Sequence, residues 1–249
     1  MLNPKKNLGQ HFLFHEPILD KIIDALALTD MDIILEVGSG PGYLTKKIAP
    51  FVNQLHAIEI DQRNQNFLNS LQLKYPQMTP YYEDFLKINM DRFSEVNKAC
   101  GNLPYHLSMP IIEKIIFQLY PQRCVFLLAE GTALRFMAKS NQEHYSAASV
   151  FVQSFYKVMK VCKVSKNLFH PAPKIDSIIC LFEKKDVDMK EMKNFNDFVH
   201  PLFSYRRKTM DNALKFLKKG TNYPEIQKKV EQYSMEELYA IYQQSHELS

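Results

Sequence analysis

The chain has 249 residues with a formal net charge of +4, and 46% of the residues are hydrophobic. This length and composition suit one large core with a small second domain, and they exclude a membrane span, because no uncharged apolar run is long enough. The four cysteines stand singly without C-x-x-C spacing, and the histidines form no metal-binding motif. The amino terminus lacks the apolar core of a secretory signal. We therefore expect reduced thiols, no metal and a cytoplasmic protein.

The predicted elements begin with a basic arm and a helix that ends near Leu28. Residues 33–42 then read as an apolar strand, glycines at alternate positions and the start of a helix. Glycine at the end of a first strand lets the backbone approach a ligand closely. A dinucleotide fingerprint would require glycine at position 43, where the chain has Tyr43. The loop therefore favours a ligand other than NAD, with Gly38 and Gly40 as candidate cofactor-binding residues.

Carboxylates follow the second and third predicted strands. Glu59 comes about twenty residues after the glycine loop, where acidic side chains of doubly wound folds accept ribose hydroxyls. Asp84 follows the third strand and is placed to accept an adenine amine, with Phe85 beside the ring. The order of the glycine loop, Glu59, Asp84 and Asn102 predicts an S-adenosylmethionine site, with Asn102 as a further candidate cofactor-binding residue.

Residues 101–105 read Gly-Asn-Leu-Pro-Tyr, directly before a helix-like apolar run. The Asn102 side-chain oxygen and the Leu103 carbonyl can each accept one N6–H of a substrate adenine, and Pro104 has no N–H to compete. The Tyr105 ring offers a face on which the base can stack. Turns also use Asn and Pro, but with the cofactor pattern before it this loop favours methyl transfer to an amine.

Strand and helix units alternate to about residue 130, which predicts a parallel doubly wound sheet. Further elements are predicted as helices at 133–138 and 147–155 and an antiparallel strand pair at 158–164 and 175–182. After a charged linker the pattern is helical. We therefore predict a Rossmann-like α/β methyltransferase domain over residues 1–185 and a small all-α domain over residues 186–249.

Basic residues cluster in two regions. Residues 157–174 contain five lysines and no acid, and residues 204–229 contain eight basic residues against two acidic ones. A solvated helix face explains many lysine runs, but clusters beside aromatic residues also suit contacts to phosphates around a base pocket. The candidate RNA-binding residues are Lys174, Arg206, Arg207, Lys208 and Lys215.

Six motifs in chain order resemble the ribosomal RNA adenine dimethyltransferases. They are Gly-Gln-His-Phe-Leu (9–13), Glu-Val-Gly-Ser-Gly-Pro-Gly (36–42), Glu-Ile-Asp (59–61), Glu-Asp-Phe (83–85), Gly-Asn-Leu-Pro-Tyr (101–105) and Phe-His-Pro-Ala-Pro-Lys-Ile-Asp-Ser (169–177). The resemblance covers nearly the whole chain. The start at 5–12 and the Arg-Arg-Lys element at 206–208 favour the small-subunit, KsgA-type branch over the large-subunit, Erm-type branch.

The resemblance implies S-adenosylmethionine-dependent N6,N6-dimethylation of adjacent adenosines near the 3′ end of small-subunit (16S) ribosomal RNA. The expected substrate is RNA in a partly assembled small subunit, and the expected enzyme is a monomer. Among the residues, the resemblance implies that His11 and Leu13 lie at the cofactor. It also implies that Phe169 clamps the flipped adenine together with Tyr105.

One departure from the family pattern and two alternative functions stay open. The chain reads Ala129-Glu130-Gly131 where the small-subunit enzymes carry Gln-Lys-Glu. This change concerns which nucleotides surround the target adenine, and it leaves Erm-type methylation of a large-subunit adenine as one alternative. A non-catalytic ribosome-assembly or transcription factor on the same fold is a second alternative. A DNA adenine methyltransferase more often carries Asp-Pro-Pro-Tyr and a large recognition domain. The intact cofactor residues favour an enzyme.

Overall fold

A computed structural model of the chain describes residues 9–217 and 227–247. Two compact units are present: Met1–Ala133 with Met159–Lys184, and Leu134–Val158 with Lys185–Ser249. The predicted basic arm up to residue 8, and Lys218 and Lys219 of the second basic cluster, lie outside the described residues.

The described residues form nine strands, most of them in one sheet. In chain order they are β1 (Phe12–Leu13), β2 (Ile33–Val37), β3 (Gln54–Ile58), β4 (Met78–Tyr81), β5 (Lys98–Asn102), β6 (Arg123–Ala129), β7 (Tyr156–Val164), β8 (Phe169–His170) and β9 (Ser177–Lys184). Seven of them form a sheet in the order β4-β3-β2-β5-β6-β9-β7. The remaining two, β1 and β8, pair antiparallel with each other.

The described part of the chain also contains nine α-helices. They are α1 (Glu16–Leu26), α2 (Tyr43–Ile48), α3 (Gln65–Lys74), α4 (Ser108–Gln118), α5 (Glu130–Met137), α6 (Ala147–Phe155), α7 (Met189–Leu202), α8 (Met210–Phe216) and α9 (Met235–Glu247). In this part of the chain, no helix has the length and apolar character needed to cross a bilayer.

The sheet is mainly parallel, and the order of its strands indicates where a ligand crevice lies. Strands β4, β3, β2, β5 and β6 run parallel, and β9 runs antiparallel to β6. The strand order reverses between β2 and β5, and in an open α/β sheet the ligand crevice lies outside the carboxyl ends of the strands at such a point. The predicted Rossmann-like α/β class is confirmed. Gly38, Glu59 and Asn102 all lie at this edge.

The apolar runs of the parallel strands match their burial in the sheet. In β2, Ile34 and Leu35 are both fully buried although they point to opposite faces. A parallel strand covered on both sides reads as a continuous apolar run. Helix α1 instead buries a stripe at helical spacing, which includes Ile18, Leu19 and Ile22, in the cluster that also contains Ile34.

The second unit is helical in its C-terminal part, as the sequence pattern predicts. Helix α7 begins after Asp188, whose carboxylate accepts a hydrogen bond from the Glu191 backbone N–H at 2.9 Å. The unit has its own apolar cluster, and α6 contributes Val150 to it. Residues 134–158 group with the C-terminal residues because they share this core. The predicted functional division at residue 185 stays a prediction.

Candidate active site

The loop after β2 brings the backbone close to two neighbouring elements. Gly38, Gly40 and Gly42 all have positive φ, at 77°, 54° and 87°. A Cβ on Gly40 would lie 3.1 Å from the Phe12 ring, so a side chain there would press on the segment that crosses the loop. The Gly38 N–H donates to the Ile58 carbonyl at 2.8 Å. Glycine is therefore needed here both for conformation and for space.

Glu59 is a buried carboxylate at the end of β3. It is 4% exposed, and it accepts hydrogen bonds from the Gly40 N–H at 2.6 Å and from the Asp61 N–H at 2.7 Å. Burial raises its pKa, while these backbone donors oppose that shift. The two oxygens of a carboxylate can accept several hydrogen bonds, so Glu59 can also accept from the hydroxyl groups of a ligand. It lines a cleft together with Gly38, Gly40 and Asn102.

A second cleft adjoins the first, since Gly38, Ile60 and Pro104 line both. Asp84 and Phe85 lie in its wall, and the other lining side chains are mostly aliphatic: Val37, Ile58, Leu86, Leu107 and Ile111. The Asp84 carboxylate accepts the Leu86 N–H at 2.9 Å, which fixes its direction. Apolar walls with one oriented carboxylate suit a flat heterocycle that carries an amine.

Asn102 is oriented by the segment near the amino terminus. Its Nδ2 donates to the His11 carbonyl at 2.6 Å. The amide nitrogen is thus committed to a protein acceptor, and Oδ1 is the atom left to accept a hydrogen bond from a ligand. Among the described residues, no donor reaches this oxygen or the Leu103 carbonyl. His11, predicted as a cofactor residue, therefore also acts through its backbone on Asn102, and no sequence pattern indicates this second role.

Residues 10–13, the N-terminal strap, cross the site and are fixed at several points. Gln10 Nε2 donates to Asp61 at 3.0 Å, and His11 Nδ1 lies 2.8 Å from the Pro171 carbonyl. The strap includes β1, which pairs with β8. Arg63 holds the pKa of the Asp61 carboxyl far below its usual range, so this anchor is ionised. No sequence pattern indicates the pair of Gln10 and Asp61, because the two residues are 51 positions apart.

Tyr105 and Phe169 lie in different environments. The Tyr105 hydroxyl is 2.6 Å from Ser177 Oγ, and its ring stacks on the His11 ring with centroids 5.8 Å apart. Burial raises the pKa of Tyr105, so the hydroxyl stays protonated. Phe169 is 4% exposed and packs in the core with Leu13. It is absent from the lining of the clefts around Gly38, so its predicted clamp on the base stays a prediction.

Glu36 is a buried carboxyl that the sequence motif contains without an assigned role. It lines a third cleft, which Leu13, Gly38, Gly40 and Asn102 also line. Burial raises the pKa of Glu36 to about 7, although the Thr45 hydroxyl donates to it at 2.6 Å and opposes the shift. This carboxyl therefore changes its protonation state near neutral pH.

The candidate RNA-binding residues are exposed. Lys174 lies in the first unit, and Arg206, Arg207, Lys208 and Lys215 lie in the second. Arg206 is 3.4 Å from Glu231, and Lys215 is 2.6 Å from Asp211. Such exposed pairs are weak, so both side chains stay available to phosphates. In the described residues, no group of three or more His, Cys, Asp or Glu side chains could hold a metal ion.

The chain is similar to known proteins along most of its length. A family model described as "Ribosomal RNA adenine dimethylase" matches residues 1–246. The chain is 39% identical over 218 residues to "Ribosomal RNA small subunit methyltransferase A" of Mycoplasmopsis pulmonis, covering 86% of this chain and 85% of that protein. It is 33% identical over 239 residues to the protein of the same name in Thermotoga maritima, covering 96% and 84%.

Two solved structures resemble the chain along most of its length. A dimethyladenosine transferase from Plasmodium falciparum matches with a TM-score of 0.81 and 27% identity, over 95% of this chain and 98% of that one. The 23S rRNA methyltransferase ErmE matches with a TM-score of 0.69 and 20% identity, over 92% and 98%. The second match bears on the fold alone.

Proposed function

Because the chain belongs to the ribosomal RNA adenine dimethylase family, we propose that it dimethylates N6 of adjacent adenosines near the 3′ end of small-subunit (16S) ribosomal RNA. The names of the bacterial relatives support the small subunit as the target. The observation that carries the chemistry is the Asn102 amide, whose nitrogen is held by the His11 carbonyl at 2.6 Å. That bond leaves an oxygen acceptor beside the Leu103 carbonyl.

The proposed methyl donor is S-adenosylmethionine, and the residues present fit it. Glu59 can accept hydrogen bonds from the ribose hydroxyls, and Asp84 with Phe85 forms the wall of an apolar cleft that suits adenine. Gly38 and Gly40 let the backbone come close to the ligand. When bound, this cofactor supplies a methyl group already activated by a positive sulfonium, so the protein needs to supply orientation and electrostatics rather than strong acid or base.

The residues of the Asn-Leu-Pro-Tyr loop would hold the target amine. Asn102 Oδ1 and the Leu103 carbonyl each accept one N6–H, which directs the nitrogen lone pair and stabilises the positive charge that develops on it. Pro104 brings no competing donor. Tyr105 provides a stacking face, and Phe169 closes on the other side of the base if its side chain leaves the core. The methylated amine is acidic while positively charged and loses its proton to water.

The two predicted domains have separate proposed roles. Residues 1–185 bind cofactor and adenine, and residues 186–249 contact RNA of a partly assembled small subunit through the exposed cluster Arg206, Arg207, Lys208 and Lys215, with Lys174 as a further contact. An enzyme with such a substrate is expected in the cytoplasm. The proposed enzyme acts as a monomer.

The test is methyl transfer by Asn102→Ala under single-turnover conditions on small subunits that lack the modification. Deleting one preorganised polar group should lower the rate by about 10²–10³-fold. Asn66→Ala is the matched control, since Asn66 is exposed on α3 and the same atoms are removed. Thermal unfolding of both variants separates chemistry from folding. Near-normal transfer by Asn102→Ala would overturn the assigned reaction.

Primer extension over both ribosomal RNAs identifies the target, because N6,N6-dimethyladenosine cannot form a normal base pair and stops the polymerase. We expect the stop at paired small-subunit adenosines, and only when the active chain is present. A stop at a large-subunit adenosine would instead identify an Erm-type enzyme. No stop on either RNA, with a folded wild-type chain, would support the non-catalytic alternative.

A further inference from the structure

Lys163 lies between two carboxylates at the edge of the substrate side of the sheet. Its Nζ is 2.8 Å from Glu130 and 3.2 Å from Asp176. Glu130 is the acidic residue in the Ala-Glu-Gly departure from the family pattern. In the sequence, Lys163 belongs to a run of lysines without an acid among them, and the structure gives it two acidic partners from distant parts of the chain.

These three side chains join the ends of three neighbouring strands. Lys163 is near the end of β7, Glu130 directly follows β6, and Asp176 directly precedes β9. The backbone supports the same junction, since the Glu130 N–H donates to the Asp176 carbonyl at 3.0 Å. The next residue, Ser177, pairs with Ala129 in the register of β6 and β9.

The junction also closes the loop of residues 166–176. The second oxygen of the Asp176 carboxylate accepts the Lys166 N–H at 3.0 Å, so Asp176 ties the two ends of this loop together. The loop carries Phe169, and its Pro171 carbonyl meets the His11 ring. The backbone N–H of Lys166 and the Lys163 side chain both hold the pKa of the Asp176 carboxyl below its ordinary value.

Ser177 connects this junction to the target base. Its hydroxyl, fully buried, lies 2.6 Å from the Tyr105 hydroxyl. Tyr105 is the stacking residue of the proposed adenine site, and its ring is otherwise held by His11, whose own ring depends on the 166–176 loop. The two contacts of Tyr105 therefore both depend on Asp176, which precedes Ser177 and closes the loop that contacts His11. Asp176 is in turn paired with Lys163.

We propose that Lys163 is a positioning residue for methyl transfer: by holding Glu130 and Asp176 together it fixes both supports of the Tyr105 ring, and thereby the ring itself against the target adenine. This inference rests on the proposed function. It also gives a role to Glu130, the acidic residue that departs from the family pattern, because Glu130 is one of the two carboxylates that Lys163 holds together. The contribution is to geometry more than to stability, because the three side chains are 46%, 32% and 30% exposed and exposed ion pairs add little to folding.

The first test replaces Lys163 by Met, which keeps the length and removes the charge. Single-turnover transfer at saturating cofactor and small subunit should fall by about tenfold or more, the scale expected when a reacting group is misplaced by a fraction of an ångström to an ångström. Cofactor affinity, subunit affinity and the unfolding temperature should stay at the wild-type values. Lys160→Met is the matched control on the same strand, because Lys160 is exposed and no ion pair joins it to the described residues.

The second test is rescue by exchange of the charges. Lys163→Glu alone gathers three carboxylates and should lower the transfer rate further than Lys163→Met. The double variant Lys163→Glu with Glu130→Lys again places one lysine beside two carboxylates, so the rate should return towards that of the wild type. Wild-type transfer by Lys163→Met, or a double variant as slow as Lys163→Glu, would overturn the inference.

Two further outcomes are separated by the same assays. A rate loss that follows a matching loss of folded protein would assign Lys163 to stability and overturn the positioning role. If the wild-type chain itself does not methylate the small subunit, the proposed function fails. If the wild-type chain methylates the small subunit, Asn102→Ala does not, and the Lys163 variants keep full activity, only the positioning inference fails.

Discussion

The buried carboxyl of Glu36 should make the stability of this protein decrease as the pH rises. Glu36 is 2% exposed, and burial raises its pKa from the ordinary 4.5 to about 7. In the unfolded chain the same carboxyl ionises near 4.5. Its contribution to stability is therefore fully present below about pH 4.5 and is lost as the pH rises through about 7. At about 1.36 kcal/mol for each pH unit between the two values, the loss reaches about 3 kcal/mol by about pH 8.

The informative perturbation is Glu36→Gln. Glutamine has nearly the same shape, its amide oxygen can still accept the Thr45 hydroxyl, and it cannot ionise. The variant should match the wild type near about pH 4.5 and exceed its free energy of unfolding by up to about 3 kcal/mol at about pH 8. Glu59 is present in both proteins, and its negative charge is one of the causes that raise the pKa of Glu36, so the measured difference includes this interaction.

The assay is urea unfolding without cofactor, followed by circular dichroism at several pH values. Glu95→Gln is the matched control, because Glu95 is exposed, and it should shift the curve equally little at every pH. An equal difference in unfolding free energy between Glu36→Gln and the wild type at about pH 5 and about pH 8 would refute the raised pKa, since the linkage relation then has no titrating group at position 36.

Two other predictions concern the cofactor and the RNA. Glu59→Ala should lose about 2–4 kcal/mol of S-adenosylmethionine binding, because two charge-assisted hydrogen bonds to the ribose are removed; calorimetry that gave wild-type affinity for a folded variant would remove Glu59 from the ribose site. Charge reversal of Arg207 and Lys208 to Glu should weaken RNA binding and lower the slope of log affinity against log salt by about 0.7–0.9 for each phosphate that the variant no longer neutralises. Lys193→Glu, a reversal of an exposed lysine on α7, is the control, and an equal effect for each reversed charge would mean that net charge alone decides binding.

The sequence by itself determined the fold class and the order of the site along the chain. Those features depend on neighbours in sequence: an apolar strand that ends in glycines, a carboxylate after the next strand, and Asn-Leu-Pro-Tyr at the end of β5. Because the carboxyl ends of parallel strands meet at one edge of a sheet, spacing alone was enough to place Gly38, Glu59 and Asn102 together. In the structure these three residues line one cleft.

The tertiary structure decided how those residues are held. The bond from Asn102 to His11 joins residues 91 apart, the Tyr105–Ser177 contact joins residues 72 apart, and His11 meets Pro171 across 160 residues. No local periodicity encodes such partners, because they follow from how the strap and the 166–176 loop pack on the finished sheet. Packing also placed the Phe169 ring in the core and gave Lys163 its two carboxylates. The local sequence pattern determines which chemical groups are present in the site. Long-range contacts determine how these groups are oriented and which of them are charged.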